Sequence, residues 1–205
     1  MIFNGRRLNE QNVHQYVLIQ NPEERVSVKS IKKKVISDID PFEQKDFGTK
    51  NDSDCTITSI MTSICYYSYK KLNPREVYRT VRKNAEKWFF KPNIGTIPFF
   101  IKSIYDKSLK DYGINKKTGA RLIKDWGYNL KLIMSVLDQN KPIILSIYKD
   151  GREYYFNHSV LVIGYEIFRF ENGIEYPMLL VYDNWYSTIG YVDYNKLSAF
   201  SSINF

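Results

Sequence analysis

The chain is poor in the residues that most often carry cross-links or chemistry. Its 205 residues include only two cysteines, Cys55 and Cys65, and two histidines, His14 and His158. On one helix the two thiols would sit about 15 Å apart, well past the ~7 Å Cα separation at which a disulfide closes. A disulfide-stapled scaffold is therefore excluded, and two cysteines with no histidine nearby make no zinc site. No stretch reaches the roughly 18 to 20 apolar residues of a membrane span, and residues 1–20 lack the apolar centre of a signal peptide. The expectation is a chain without a membrane span, cytoplasmic as written and secreted if a signal peptide has been removed. There is no arginine-rich arm, finger spacing, internal repeat or low-complexity tract, so no nucleic-acid partner is expected. The net charge of +8, from 30 Lys+Arg against 22 Asp+Glu, is spread along the chain. Its clearest clusters are Lys32-Lys33-Lys34 and Lys116-Lys117. No metal and no organic cofactor is implied, and the oligomeric state is unspecified.

What is present is ample material for a core. Hydrophobic content is 43% and aromatic content 16%, above what disordered chains carry. Residues 1–50 read as a lead-in, either an arm or extra strands, with a propeptide as the alternative, and residues 51–205 read as the main domain. In the lead-in, Val17-Leu18-Ile19 and Val26-Ser27-Val28 are strand-like runs around a turn at 21–24. The charged stretch 32–40 suits a surface crossing. A helix is expected from Cys55 to about Lys70, a second from Asn73-Pro74, and a third after Ile97-Pro98. A fourth, near 129–139, is stopped by Asn140-Lys141-Pro142. Between the third and fourth, residues 111–120 form a loop. The texture then turns β-rich, at 143–148, 159–163, 178–182 and 190–194, with turn signals at Asp150-Gly151 and Glu171-Asn172-Gly173. Helices followed by an antiparallel sheet define an α+β fold.

The stretch around which this is organised is Asn51-Asp52-Ser53-Asp54-Cys55-Thr56. Asp and Ser ahead of Ile57, Ile60, Met61 and Ile64 are helix-start chemistry, because their oxygens accept the orphan N–H groups of a first turn. A cysteine there lies at the positive end of the helix dipole, where its thiolate is stabilised. A hundred residues on, His158 opens the apolar run Ser159 to Gly164. The next strand ends in Asp183-Asn184-Trp185. A carboxylate or amide beside His158 would fix one imidazole nitrogen and leave the other to take the thiol proton. Asp183 and Asn184 are both candidates for that orienting role. Cys65 reads as a core residue and His14 as a surface one.

In this order the residues resemble the papain-like cysteine peptidase superfamily, and within it the bacterial bacteriocin-processing (double-glycine) peptidases and their stand-alone relatives. The resemblance rests on Asp54-Cys55, Lys141-Pro142-Ile143-Ile144-Leu145, His158 to Gly164, and Leu180-Val181-Tyr182-Asp183, and it spans about residues 50–195. It implies a helical half with a central helix packed on a C-terminal antiparallel sheet. It also implies Cys55 as nucleophile, His158 as base and Asp183 as orienter, with Trp185 beside them. Two positions depart from the family pattern. Thr56 stands where a small residue usually follows the nucleophile. Thr49 stands where the family places an oxyanion-holding glutamine, the nearest glutamine being Gln44. Asn51 is the substitute donor by chemistry. The expected activity is cleavage of a peptide or isopeptide bond in a peptide or protein substrate. The rival readings are an inactive papain-like binding module and an acyltransferase using the same triad.

Overall fold

The structure, a computed structural model, describes residues 2–3, 6–21, 27–48, 53–88, 90–92, 94–123, 126–148 and 157–205, with the backbone alone at 2–3 and 126–128. The chain begins with a short ribbon, β1 (Ile2–Phe3) paired with β2 (Arg6–Arg7). Helix α1 (Val13–Leu18) follows where the apolar run at 17–19 suggested a strand. The helical period prevails because Val13, Tyr16 and Val17 fall on one face and are all buried. Val28, the described end of the second strand-like run, opens β3 (Val28–Val35). That strand also takes in the start of the charged stretch expected to cross the surface. Most of its side chains, lysines included, are exposed, so it is held by backbone pairing rather than by burial.

After a short 3-10 turn, Gln44–Asp46, comes α2 (Cys55–Tyr67). Ten of its thirteen residues, Thr56 to Cys65, are buried, as befits a helix surrounded by protein. Its small hydroxyl residues find internal partners: Thr62 bonds the Thr58 carbonyl (2.8 Å) and Ser63 bonds the Tyr105 hydroxyl (2.6 Å). α3 (Pro74–Glu86) starts as expected. The Asn73 side chain accepts from the Arg75 N–H (2.9 Å) and proline occupies the first turn, where its missing N–H costs nothing. A 3-10 turn, Pro98–Phe100, opens into α4 (Ile101–Asp111). The end of the expected loop becomes β4 (Ala120–Leu122), and α5 (Trp126–Asp138) completes the helical half. Asn140, at φ 55°, turns the chain toward the sheet.

The sheet contains β5 (Ile143–Ile147), β6 (His158–Phe170), β7 (Glu175–Tyr182), β8 (Gly190–Asp193) and β9 (Ser202–Asn204). Its order is β4-β9-β5-β6-β7-β8, with β3 joining β6, and every pairing is antiparallel. β6 runs much further than its apolar stretch indicated. Its first residues pair with β5 and its later ones with β3, while β7 occupies the other edge. At the changeover a Cβ on Gly164 would lie 2.1 Å from the Lys34 carbonyl oxygen, so only glycine lets the β3 backbone approach. The expected turn at 171–173 is present, with Gly173 at φ 86°, whereas Asp150-Gly151 lies outside the described residues. The α+β architecture expected from the sequence is the one observed. α2 packs against β6 and β5, so the start of the helix and the start of β6 meet.

Candidate active site

Cys55 is the first residue of α2, and the residue before it does not do what helix-start chemistry suggested. The Asp54 side chain makes no cap bond. Its buried carboxylate instead accepts from the Tyr78 hydroxyl and from Arg82 Nη1 (3.3 Å). Tyr78 and Arg82 lie one turn apart on α3, and a cation with a hydroxyl outcompetes a backbone amide for a buried carboxylate. Asp54 thus fastens the start of α2 to α3. The Cys55 side chain is left at the floor of a cleft of about 250 Å³, whose walls include Gly95, Pro98, Ile147 and Phe200.

His158, the first residue of β6, is buried and hydrogen-bonds the Cys55 thiol. β6 and β7 pair Leu161 with Tyr182, and extending that register brings position 185 beside 158. Trp185 accordingly stacks on the imidazole, with ring centroids 4.0 Å apart and planes 27° apart. Imidazole Nε2 lies 2.7 Å from the Asp183 backbone carbonyl oxygen. A carbonyl only accepts, so Nε2 carries the proton and Nδ1 is left for the thiol.

The sequence suggested a carboxylate or an amide in that orienting position, and the atom found there belongs to neither side chain. Asp183 Oδ2 accepts from Arg7 Nε (2.5 Å), and Oδ1 accepts from the Trp185 and Tyr186 amides (3.2 and 3.1 Å). Asn184, at φ 63°, points its amide into the protein. Its Nδ2 lies 3.0 Å from the Cys55 carbonyl, 2.9 Å from Ser59 Oγ and 2.9 Å from the Ser159 carbonyl. It therefore ties the start of α2 to the start of β6, which fixes the distance between Cys55 and His158.

The electrostatics favour an ion pair. Burial pushes the Cys55 thiol up, but the His158 charge and hydrogen bond, with the Ser159 and Thr56 amides, outweigh it and the net direction is down. For His158, burial pushes down while the Cys55 thiolate, the Asp183 carbonyl and the Asp183 charge push up, and the net direction is up. Ser159 N–H donates to Cys55 Sγ at 3.4 Å. Thr56, at the position where the family usually has a small residue, uses its hydroxyl on Ser159 (2.8 Å), which in turn meets Ser146 (3.1 Å).

Asn51 and Thr49 lie outside the described residues. Gln44, the nearest glutamine, stands eleven residues ahead of Cys55, away from the position the family pattern uses. Its backbone N–H donates to the Asn184 carbonyl (2.8 Å), so it sits on the turn that carries Asp183 and Trp185. Its side-chain oxygen is buried without a partner among the described residues. Among the described residues no group of three or more acidic, cysteine or histidine side chains could hold a metal ion, and no helix is long and apolar enough to cross a membrane.

The structure resembles SERA5E from Plasmodium falciparum with a TM-score of 0.53 and 14% identity, over 83% of this chain and 90% of that one. The SERA5 proenzyme from the same organism gives 0.51 and 13%, over 97% and 69%. No curated protein matches the sequence. The helical half, the antiparallel sheet and these neighbours define a papain-like, cysteine-peptidase-type fold. The match to the Peptidase_C39 like family runs over residues 36–203, and the chain belongs to that family.

Proposed function

We propose that the protein is a thiol peptidase in which Cys55 is the nucleophile and His158 its acid and base. The observation that carries this is the Cys55–His158 pair at the cleft floor, with the far imidazole nitrogen held by the Asp183 carbonyl. In the resting state the proton of Cys55 lies on His158 Nδ1. The thiolate attacks the scissile carbonyl carbon and the carbonyl π pair moves to oxygen. Collapse of the tetrahedral intermediate expels the amine, which takes the proton from Nδ1 and leaves an acyl thioester on Cys55. Water then attacks the thioester, losing a proton to His158, and the acid is released.

The developing oxyanion needs donors fixed in advance. The Cys55 backbone N–H is one. Gln44 takes the second role in this reading, through its side-chain Nε2, because its backbone N–H holds it against the Asn184 carbonyl on the turn that carries Asp183 and Trp185. Asp183 acts as orienter through its main chain, while Asn184 and Trp185 hold the two reacting side chains in register. Ile94 and Ile97 on one wall and Ile147, Tyr148 and Phe200 on the other make the cleft apolar. That lining suits an extended peptide with apolar flanks rather than a charged one. The test is incubation with a complex peptide mixture, reading new termini by mass spectrometry. Cleavage products absent with Cys55→Ala are expected. Identical termini with and without Cys55 would leave a binding module in a peptidase fold.

A further inference from the structure

Resting on that reading, we propose that Arg7 is a positioning residue for His158, acting through the Asp183 carboxylate and the turn it closes. Arg7 stands 176 positions from Asp183 in sequence, in the lead-in, yet its guanidinium is nearly buried against the 183–190 connection. Nε donates to Asp183 Oδ2 at 2.5 Å, Nη1 to Thr188 Oγ1 at 3.0 Å and Nη2 to the Thr188 carbonyl at 2.8 Å. The guanidinium also lies over the Tyr186 ring, 5.0 Å from its centroid. One side chain therefore grips both ends of the connection. Room for it comes from Gly190, where a Cβ would lie 2.6 Å from Arg7 Nη2. The neighbouring residue reinforces the placement, since the Leu8 carbonyl accepts from the Tyr191 N–H (3.1 Å).

The consequence follows from what the Asp183 carboxylate does. It is fully buried, and a buried carboxylate keeps its charge only when paired. With Arg7 on Oδ2, Oδ1 is free to bind the Trp185 and Tyr186 amides and so to close the turn. That turn presents two things to His158: the Asp183 carbonyl on Nε2 and the Trp185 ring on its face. Without the guanidinium the carboxylate loses the partner that holds Oδ2 in place, and the turn loses its organising acceptor. An Arg fork is needed here because it spans a carboxylate and a carbonyl with fixed geometry. The effect of Arg7 on the reaction passes through the turn.

The experiment is iodoacetamide labelling of Cys55 in the full chain from pH 5 to 9, comparing wild type with Arg7→Ala, Gly190→Ala and Tyr16→Phe. Arg7→Ala should raise the pH midpoint of labelling and lower the rate at pH 6 about tenfold, the equivalent of one pKa unit. Gly190→Ala keeps every charge and crowds the guanidinium out, so it should shift the midpoint the same way by less. It carries the test if Arg7→Ala does not fold. Tyr16→Phe removes another lead-in tie, the Tyr16 hydroxyl to Asp193 Oδ2 (2.8 Å), and should lower the melting temperature without moving the midpoint. A depressed wild-type midpoint that stays put in folded Arg7→Ala or Gly190→Ala overturns the role of Arg7 alone, as does an equal displacement in Tyr16→Phe. A wild-type midpoint at the ordinary thiol value overturns the peptidase reading and this role with it.

Discussion

Cys55 and Cys65 stand at the two ends of one buried helix, and their surroundings drive the same functional group in opposite directions. At the far end, burial and then the Asp40 charge push the Cys65 thiol up to about 11. At the near end burial acts in the same sense, yet the net direction for Cys55 is down. The difference is made by what the sheet delivers. Only the Cys55 end receives an imidazole, two amide donors and an opening to a cleft. A helix start by itself does not make a reactive thiol. It becomes one where a second element brings a partner able to hold the proton.

Removing that partner should collapse the contrast, and this is the largest effect expected. With His158→Ala, labelling of Cys55 at pH 6 should fall by about a hundredfold or more, because the thiolate then forms only near the free-thiol pKa of about 8.5. Labelling of Cys65 should not change. The pH dependence has a definite sign. Cys55 is lowered and His158 raised, so the thiolate–imidazolium pair exists above the first value and below the second. Reactivity rises with pH through the depressed thiol value.

Turnover can also be separated from thiol reactivity. Gln44→Ala leaves the Cys55–His158 pair intact and removes the proposed oxyanion donor. Peptide cleavage should drop about a hundredfold, with the midpoint of Cys55 labelling unmoved. Equal cleavage in this variant would return the donor role to another group.

The fold was legible because its elements follow local rules. Asn73-Pro74 and Asn140-Lys141-Pro142 mark helix ends, and the apolar runs of β5, β6 and β7 read as buried strands. The lead-in misled at 17–19, where three apolar residues in a row look like a strand. Val13 and Tyr16, further back, make a helical face with Val17. The residues of the candidate site could be picked out by type, and the structure brings Cys55, His158, Asp183 and Trp185 together. What the sequence could not convey is which atom of Asp183 meets His158. That depends on Arg7, whose partner lies at the other end of the chain and follows no local pattern. Gln44 follows no local pattern either, since its place on the turn comes from a long-range backbone bond to the Asn184 carbonyl.

The measurement that bears most directly on the central claim is iodoacetamide labelling of the folded wild-type protein from pH 5 to 9, with peptide mass spectrometry to tell the two cysteines apart. Rapid labelling of Cys55 well below the free-thiol pKa of about 8.5 is expected, with no labelling of Cys65 across the range. Cys55 labelled only above pH 8, or both cysteines labelled alike, would contradict an activated thiolate at the head of α2.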